Sequence, residues 1–134
     1  MSDQTPNASF AHVLARLGVF GGLIAGFLGL LVSLVCVMIP GLHFITGPLG
    51  PLLGGAMVGN LCDGAIGRAL VGCAVMAIGM ALIALAFTGV LFGQEPSSGL
   101  AKAAPIIVFF YTAVSSTIGA GVATVMSGRS SEQR

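Results

Sequence analysis

Charged residues are scarce in this sequence. Only five basic and four acidic residues occur among 134, so 7% of the chain is charged and 56% is hydrophobic. A soluble domain carries about 25% charged residues, which help to cover its surface with groups that water solvates. The composition therefore excludes an ordinary water-soluble domain and predicts an integral membrane protein whose solvent is the lipid bilayer. The net charge of +1 gives no basic surface, so nucleic acid is not expected as a partner.

Groups that carry chemistry are also scarce. The chain has two histidines and three cysteines, namely Cys36, Cys62 and Cys73. No C-x-x-C pair, zinc spacing, paired carboxylates or phosphate-binding loop occurs, so we predict no bound metal and no enzymatic activity. The cysteines are expected to act as small apolar residues of the core.

What the sequence does contain is long runs without charge. They cover residues 17–62, 69–94 and 103–128. A helix needs about 20 apolar residues to cross ~30 Å of hydrocarbon, so the first run is long enough for two crossings. We predict one membrane domain over residues 1–134: an all-α four-helix transmembrane bundle after a flexible tail at 1–8. Its spans are expected at about 17–39, 48–62, 68–93 and 105–128. The first span is longer than the roughly 7–15 residues of a signal peptide core, so it is expected to remain in the mature protein.

The second of these spans has an unusual composition. Residues 43–60 read HFITGPLGPLLGGAMVGN, with proline after glycine at Pro48 and Pro51. Proline inside a helix removes a hydrogen bond, whereas in the first turn its missing N–H is not needed. A helix that starts at Pro51 gives only ~18 Å before Cys62, at 1.5 Å per residue. We therefore predict a short or broken second helix that the other helices bury.

The basic residues predict an orientation. If the second element crosses, Arg16, Arg68, Arg129 and Arg134 lie on one side of the membrane and only Lys102 on the other. That asymmetry fits the positive-inside rule with both termini cytoplasmic, whereas a re-entrant second element gives a weaker asymmetry.

Glycines recur at four-residue spacing along the predicted spans. Small residues at this spacing let transmembrane helices approach closely, which predicts helix packing. One interpretation is that these glycines hold the four helices of one chain together. The other is that at least one glycine face binds a second chain or a larger complex. The helix-packing candidates are Gly18, Gly22, Gly26, Gly55, Gly59 and Gly119.

Two places could carry chemistry. His43 could ligate a haem iron or the magnesium of a chlorophyll-type pigment, or simply be hydrogen-bonded at the interface. Asn60, Asp63 and Arg68 form a possible polar site between the second and third spans. Ionisable groups at membrane depth indicate function, but at the cytoplasmic boundary they also cap turns and set topology.

Residues 47–72, GPLGPLLGGAMVGNLCDGAIGRALVG, carry a GP-x-x-G-G segment, a further glycine four residues on and a glycine-rich start to the next span. In these features the segment resembles a loosely defined group of small, glycine-rich, four-span prokaryotic membrane proteins. The resemblance implies a four-span architecture only. It implies no activity. We separately predict that the chain lies in a prokaryotic cytoplasmic (inner) membrane.

The sequence thus predicts a non-catalytic protein that works by helix packing. It would be an accessory subunit of a larger membrane complex or a homo-oligomer, with other membrane subunits or itself as partner and no cofactor. A first alternative is a small oligomeric channel or transporter, with the break at residues 47–59 and Asp63 near the path. A second alternative is a pigment- or haem-binding membrane subunit that uses His43.

Overall fold

The computed structural model describes residues 13–14, 16–38, 43–62, 65–92 and 99–132, and the predicted tail at 1–8 lies outside them. The elements found there are four α-helices, so the prediction of an all-helical chain with four helices is confirmed. Three of them, the first, third and fourth, contain stretches long and apolar enough to cross a membrane, which fits a small membrane protein. The helices are α1 (Val19–Met38), α2 (His43–Leu61), α3 (Ile66–Phe92) and α4 (Gly99–Glu132).

The second helix differs from its prediction. α2 is continuous for 19 residues, with Pro48 and Pro51 inside it, so the predicted break is wrong. The physical reason is that α1 and α4 pack on this stretch and add hydrogen bonds to it, next to the carbonyls of residues 44 and 47 that the two prolines leave without a backbone N–H. The Tyr111 hydroxyl of α4 donates to the Pro48 carbonyl. From the other side, Ser33 Oγ of α1 lies 3.0 Å from the Gly50 carbonyl and 3.0 Å from the Gly29 carbonyl of its own helix, so it shares one proton between them.

Close contacts between glycines fix the direction of the first three helices. A Cβ atom built on Gly26 would lie 2.5 Å from the Gly72 carbonyl oxygen, and one on Gly22 would lie 2.7 Å from the Arg68 oxygen. The residue numbers of these contacting pairs increase in the same direction along both helices, so α1 and α3 are parallel. Between α1 and α2 the numbers increase in opposite directions, since Gly29 lies against Gly54 and Ser33 contacts Gly50, so these two helices are antiparallel.

The same contacts place α4. Gly55 lies against Ser116 and Gly59 against Ala120, so α2 and α4 are parallel. It follows that α4 is antiparallel to α1 and α3. α1 and α4 occupy opposite corners without contact, whereas α2 and α3 touch across the short diagonal. The four helices therefore run alternately up and down.

Burial is concentrated at one end of this bundle. Apart from Leu14 before α1 and Cys62 just after α2, the buried residues fall within 21–33 of α1, 50–59 of α2, 69–77 of α3 and 112–123 of α4. We call this end the packed half. At the other end, no residue at 78–90 of α3 or 102–111 of α4 is buried, and we call these two segments the open half. The core is thus complete for only part of the length of α3 and α4.

The chain turns sharply just before α1. The Leu17 amide donates to the Leu14 carbonyl at 3.2 Å, and Gly18 follows with φ of +55°. Glycine adopts this left-handed conformation at little cost because it has no Cβ. A Cβ built on Gly18 would meet no atom within 4 Å. Gly18 therefore makes no helix contact within the chain and serves the turn that precedes the helix, and its predicted role in helix packing stays a prediction.

Candidate functional site

The predicted glycines of α1 lie against α3. A Cβ on Gly22 would come within 2.7 Å of one α3 carbonyl oxygen, and a Cβ on Gly26 within 2.5 Å of another. Real Cβ atoms do not approach backbone atoms this closely, so a side chain at either position would push the helices apart. This is the close backbone approach that small residues permit between transmembrane helices.

Three more of the predicted glycines lie between α2 and α4. A Cβ on Gly55 would lie 2.1 Å from the Ser116 oxygen, and one on Gly59 would lie 2.6 Å from the Ala120 oxygen. In the opposite direction, a Cβ on Gly119 would lie 2.1 Å from the Leu52 oxygen. All of these contacts are made within the one chain. They correspond to the first interpretation of the glycine pattern, in which the glycines hold the four helices of one chain together.

The four-residue spacing identified Gly55 but not its neighbour Gly54. Gly54 faces α1, where a Cβ would lie 2.5 Å from the Gly29 oxygen. Consecutive residues of an α-helix point about 100° apart. A Gly-Gly pair therefore lets one helix approach two neighbours at once, as α2 approaches α1 and α4. In the sequence, the Gly-Gly pair is the signal that could have identified α2 as a helix in contact with two neighbours.

Two members of the predicted polar site are described. Asn60 is exposed near the end of α2, and Arg68 is half-buried in the first turns of α3. The Arg68 guanidinium donates to the Cys62 carbonyl at 2.8 Å and to the Leu14 carbonyl at 3.5 Å. A cation at the carbonyl end of a helix is favourable because it satisfies unpaired oxygens and opposes the helix dipole.

Through these hydrogen bonds Arg68 links three parts of the chain: the segment before α1, the end of α2 and the start of α3. Cys62 lies beside it, and burial raises the pKa of its thiol while the Arg68 charge lowers it by less. Asp63 lies outside the described residues, so the pairing of Asp63 with Arg68 and the polar site as a whole remain predictions. The break near residue 50, on which the channel alternative also depended, is absent from α2.

His43 is the first residue of α2, and its side chain lies outside the described part of the chain. Its predicted ligation of a pigment or haem therefore stays a prediction. Among the described residues, no group of three or more histidine, cysteine, aspartate or glutamate side chains could hold a metal ion.

Three hydroxyl side chains are fully buried in the packed half. Ser33 and Ser116 reach backbone carbonyls, at 3.0 Å on Gly50 and 3.3 Å on Ala113. Thr112 Oγ1 has no hydrogen-bond partner, unlike Thr117, whose hydroxyl donates to the carbonyl four residues earlier at 2.7 Å. An unsatisfied buried hydroxyl costs about 1–3 kcal/mol. Thr112 marks the level at which the packed half ends.

A groove lies on the outside of the packed half, between the first turns of α3 and the later part of α4. Its volume is about 260 Å³. We call it the α3–α4 groove. Its lining is apolar apart from two threonines, and several of its residues are small. They are Ile66, Ala69, Leu70, Cys73, Thr117, Ala120, Gly121, Thr124 and Val125.

No protein-family model, curated protein or solved structure matches the chain. The resemblance of residues 47–72 to four-span prokaryotic membrane proteins therefore stays a hypothesis drawn from the residues alone.

Proposed function

We propose that this chain is a non-catalytic integral membrane protein with four crossings, which works by packing against other membrane-embedded chains. The partner is either a second copy or a larger complex in which the chain is an accessory subunit. One observation carries the proposal: the helices pack closely in one half, whereas no residue at 78–90 of α3 or 102–111 of α4 is buried. The proposal assigns the chain no cofactor.

The fourth crossing is supported by the direction of the helices. α1 and the apolar part of α3, Ile66–Val90, each have the length and hydropathy of a span. They run parallel, because Gly22 and Gly26 contact α3 in the same order along both helices. Two consecutive spans can point the same way only if the chain between them returns across the membrane. α2 is antiparallel to α1 and 19 residues long, which gives ~28 Å, close to the thickness of the hydrocarbon.

The orientation follows from this topology and from charge. Arg16, Arg68 and Arg129 belong to the end of the bundle where the packed half lies, and Lys102 belongs to the opposite end. The positive-inside rule then favours a cytoplasmic position for the packed end and for both termini. We propose a prokaryotic cytoplasmic membrane as the location of the chain.

The open half is the proposed partner surface. Its α3 segment carries large exposed side chains such as Leu85 and Val90, 57% and 84% exposed, interleaved with small residues. A Cβ on Gly89 would meet nothing within 4 Å, so a partner helix could approach the backbone there. By contrast, the glycines predicted for partner contact on α1 and α2 are already used inside the chain.

Crosslinking in native membranes tests this surface. With Cys36, Cys62 and Cys73 replaced by alanine, we expect Val90→Cys to crosslink to a species of fixed mass. Phe20→Cys is the control, since Phe20 is 70% exposed on α1 in the packed half. A product of twice 13.4 kDa indicates a second copy, and another fixed mass indicates a larger complex. Equal behaviour of the two cysteines, with only monomer recovered, would refute the proposal.

A second variant separates packing from chance proximity. Gly89→Leu fills the open space beside the α3 backbone and should weaken the Val90 crosslink, because a partner helix can no longer approach closely. Gly121→Leu, which also meets no neighbouring atom but lies in the packed half, should leave the crosslink unchanged. The same loss in both variants would indicate a general effect on the fold.

A further inference from the structure

The α3–α4 groove goes beyond the proposed partner surface, because it lies in the packed half on the side of Arg68. Its walls run from Ile66 to Cys73 on α3 and from Thr117 to Val125 on α4. Eight residues of helix span ~12 Å, so the groove is about that long and parallel to the helices. It therefore has the direction of the surrounding lipid chains and begins at the first turn of α3.

The size of the groove limits what can enter it. Up to the surfaces of the surrounding atoms, the empty space of the groove is about 590 Å³, which over ~12 Å of helix gives a cross-section of at most about 50 Å². A helix with its side chains is about 10–12 Å wide and needs a cross-section of about 80–110 Å². The groove is too narrow to seat a helix along its length, but a single hydrocarbon chain is thin enough.

The apolar lining of the groove also favours a hydrocarbon chain as its occupant. Its two threonine hydroxyls are turned back onto their own helix: Thr117 donates to the Ala113 carbonyl at 2.7 Å and Thr124 to the Ala120 carbonyl at 2.8 Å. The remaining lining is apolar. Water in such a groove would lack the two to four polar partners it requires, and an unfilled groove would forfeit dispersion contacts along both walls. A flexible apolar chain needs no polar partners and makes dispersion contacts with both walls.

We propose that the α3–α4 groove holds one acyl chain of a phospholipid from the leaflet on the Arg68 side of the membrane. The chain lies along α3 and α4, with its headgroup end near Ile66 and its methyl end toward the level of Cys73 and Thr117. Gly121 keeps the α4 wall open, since a Cβ there would meet no atom within 4 Å.

A phosphatidylcholine with a photoreactive group in its acyl chain tests the site directly. The full chain is reconstituted in nanodiscs with this lipid, irradiated and mapped by peptide mass spectrometry. We expect labelling at 66–73 and 117–125 to exceed labelling of the exposed α1 side chains Phe20 and Phe27. Labelling spread evenly over all exposed apolar residues would overturn the proposal, because it would describe ordinary contact with the bilayer.

The matched variants are Gly121→Leu and Gly89→Leu, two glycines with equally open surroundings. The first fills the groove and should reduce its labelling to the level of α1, whereas the second should leave it unchanged. Retention of groove labelling in Gly121→Leu would overturn the proposal. So would a crosslink from Gly121→Cys to another protein chain, which would identify a partner as the occupant. The partner test at Val90 is unaffected by either result, so the two proposals fail separately.

Discussion

At the scale of single residues, two kinds of glycine occur in this chain, and only the structure distinguishes them. Gly55 has the Ser116 backbone where a Cβ would stand, with the oxygen at 2.1 Å and the Cα at 2.5 Å. Gly89 has no atom within 4 Å. Backbone cannot move aside as the end of a flexible side chain can, so the contact at Gly55 depends on the missing methyl group.

This difference predicts opposite effects of the same substitution. Gly55→Ala should lower the free energy of unfolding by about 1–3 kcal/mol, because α2 and α4 must separate. Gly89→Ala should leave it unchanged or raise it by about 0.5–1 kcal/mol, because alanine is the better helix former. Unfolding by sodium dodecyl sulfate in mixed micelles measures both. Equal stability of the two variants would show that the α2–α4 contact is looser than described.

At the scale of the elements, α2 is the helix whose structure depends most on its neighbours. Pro51 has no N–H for the Gly47 carbonyl, and its ring disturbs the preceding turn. Tyr111 and Ser33 contact the Pro48 and Gly50 carbonyls from opposite sides, next to the Gly47 carbonyl that lacks its partner. A helix with two prolines is therefore continuous because α1 and α4 support it.

The support by Tyr111 can be measured by amide exchange. In a regular helix the Leu52 amide pairs with the Pro48 carbonyl, the same oxygen that Tyr111 contacts. Tyr111→Phe should therefore speed exchange at Leu52 and Leu53 and cost about 0.6 kcal/mol, typical of a hydrogen bond between transmembrane helices. In a Pro51→Ala background, where the turn regains its N–H, the effect of Tyr111→Phe should shrink. An undiminished effect would mean that Tyr111 acts through packing alone.

At the scale of the whole molecule, the alternating direction of four helices and the uneven burial are the main features. The contacts of α1 with α3 and of α2 with α4 make each pair parallel. The proposed four-crossing topology follows from these directions. The proposed partner surface follows from the absence of buried residues at 78–90 and 102–111.

Topology predicts which sites are accessible from each side of the membrane. In a chain without native cysteines, Ser97→Cys should react with an impermeant maleimide in intact cells, and Ser130→Cys should react only after lysis. Three crossings, with α2 re-entrant, would place these two positions on exchanged sides. Labelling of Ser130→Cys in intact cells would therefore disprove the cytoplasmic C-terminus, and together with a cytoplasmic N-terminus it would also disprove the fourth crossing.

Part of this picture was available from local sequence. The scarcity of charge predicts a chain that uses lipid as its solvent, and the charge-free runs predict four helices close to where the structure has them. Four-residue spacing identified Gly22, Gly26, Gly55, Gly59 and Gly119, all of which lie at helix contacts. These features are local, because composition sets the solvent and helix periodicity sets the face on which a residue lies.

Only the tertiary structure decided the remainder. The continuity of α2 depends on donors from Ser33 and Tyr111, which are distant in sequence and which proline statistics cannot include. Spacing placed Gly18 on a ridge, but the fold uses it in a turn with φ of +55°. The α3–α4 groove and the open half depend on which residues of all four helices come into contact, and no single segment of the sequence specifies that. A sequence specifies which faces can approach closely, and the packed bundle determines which faces do.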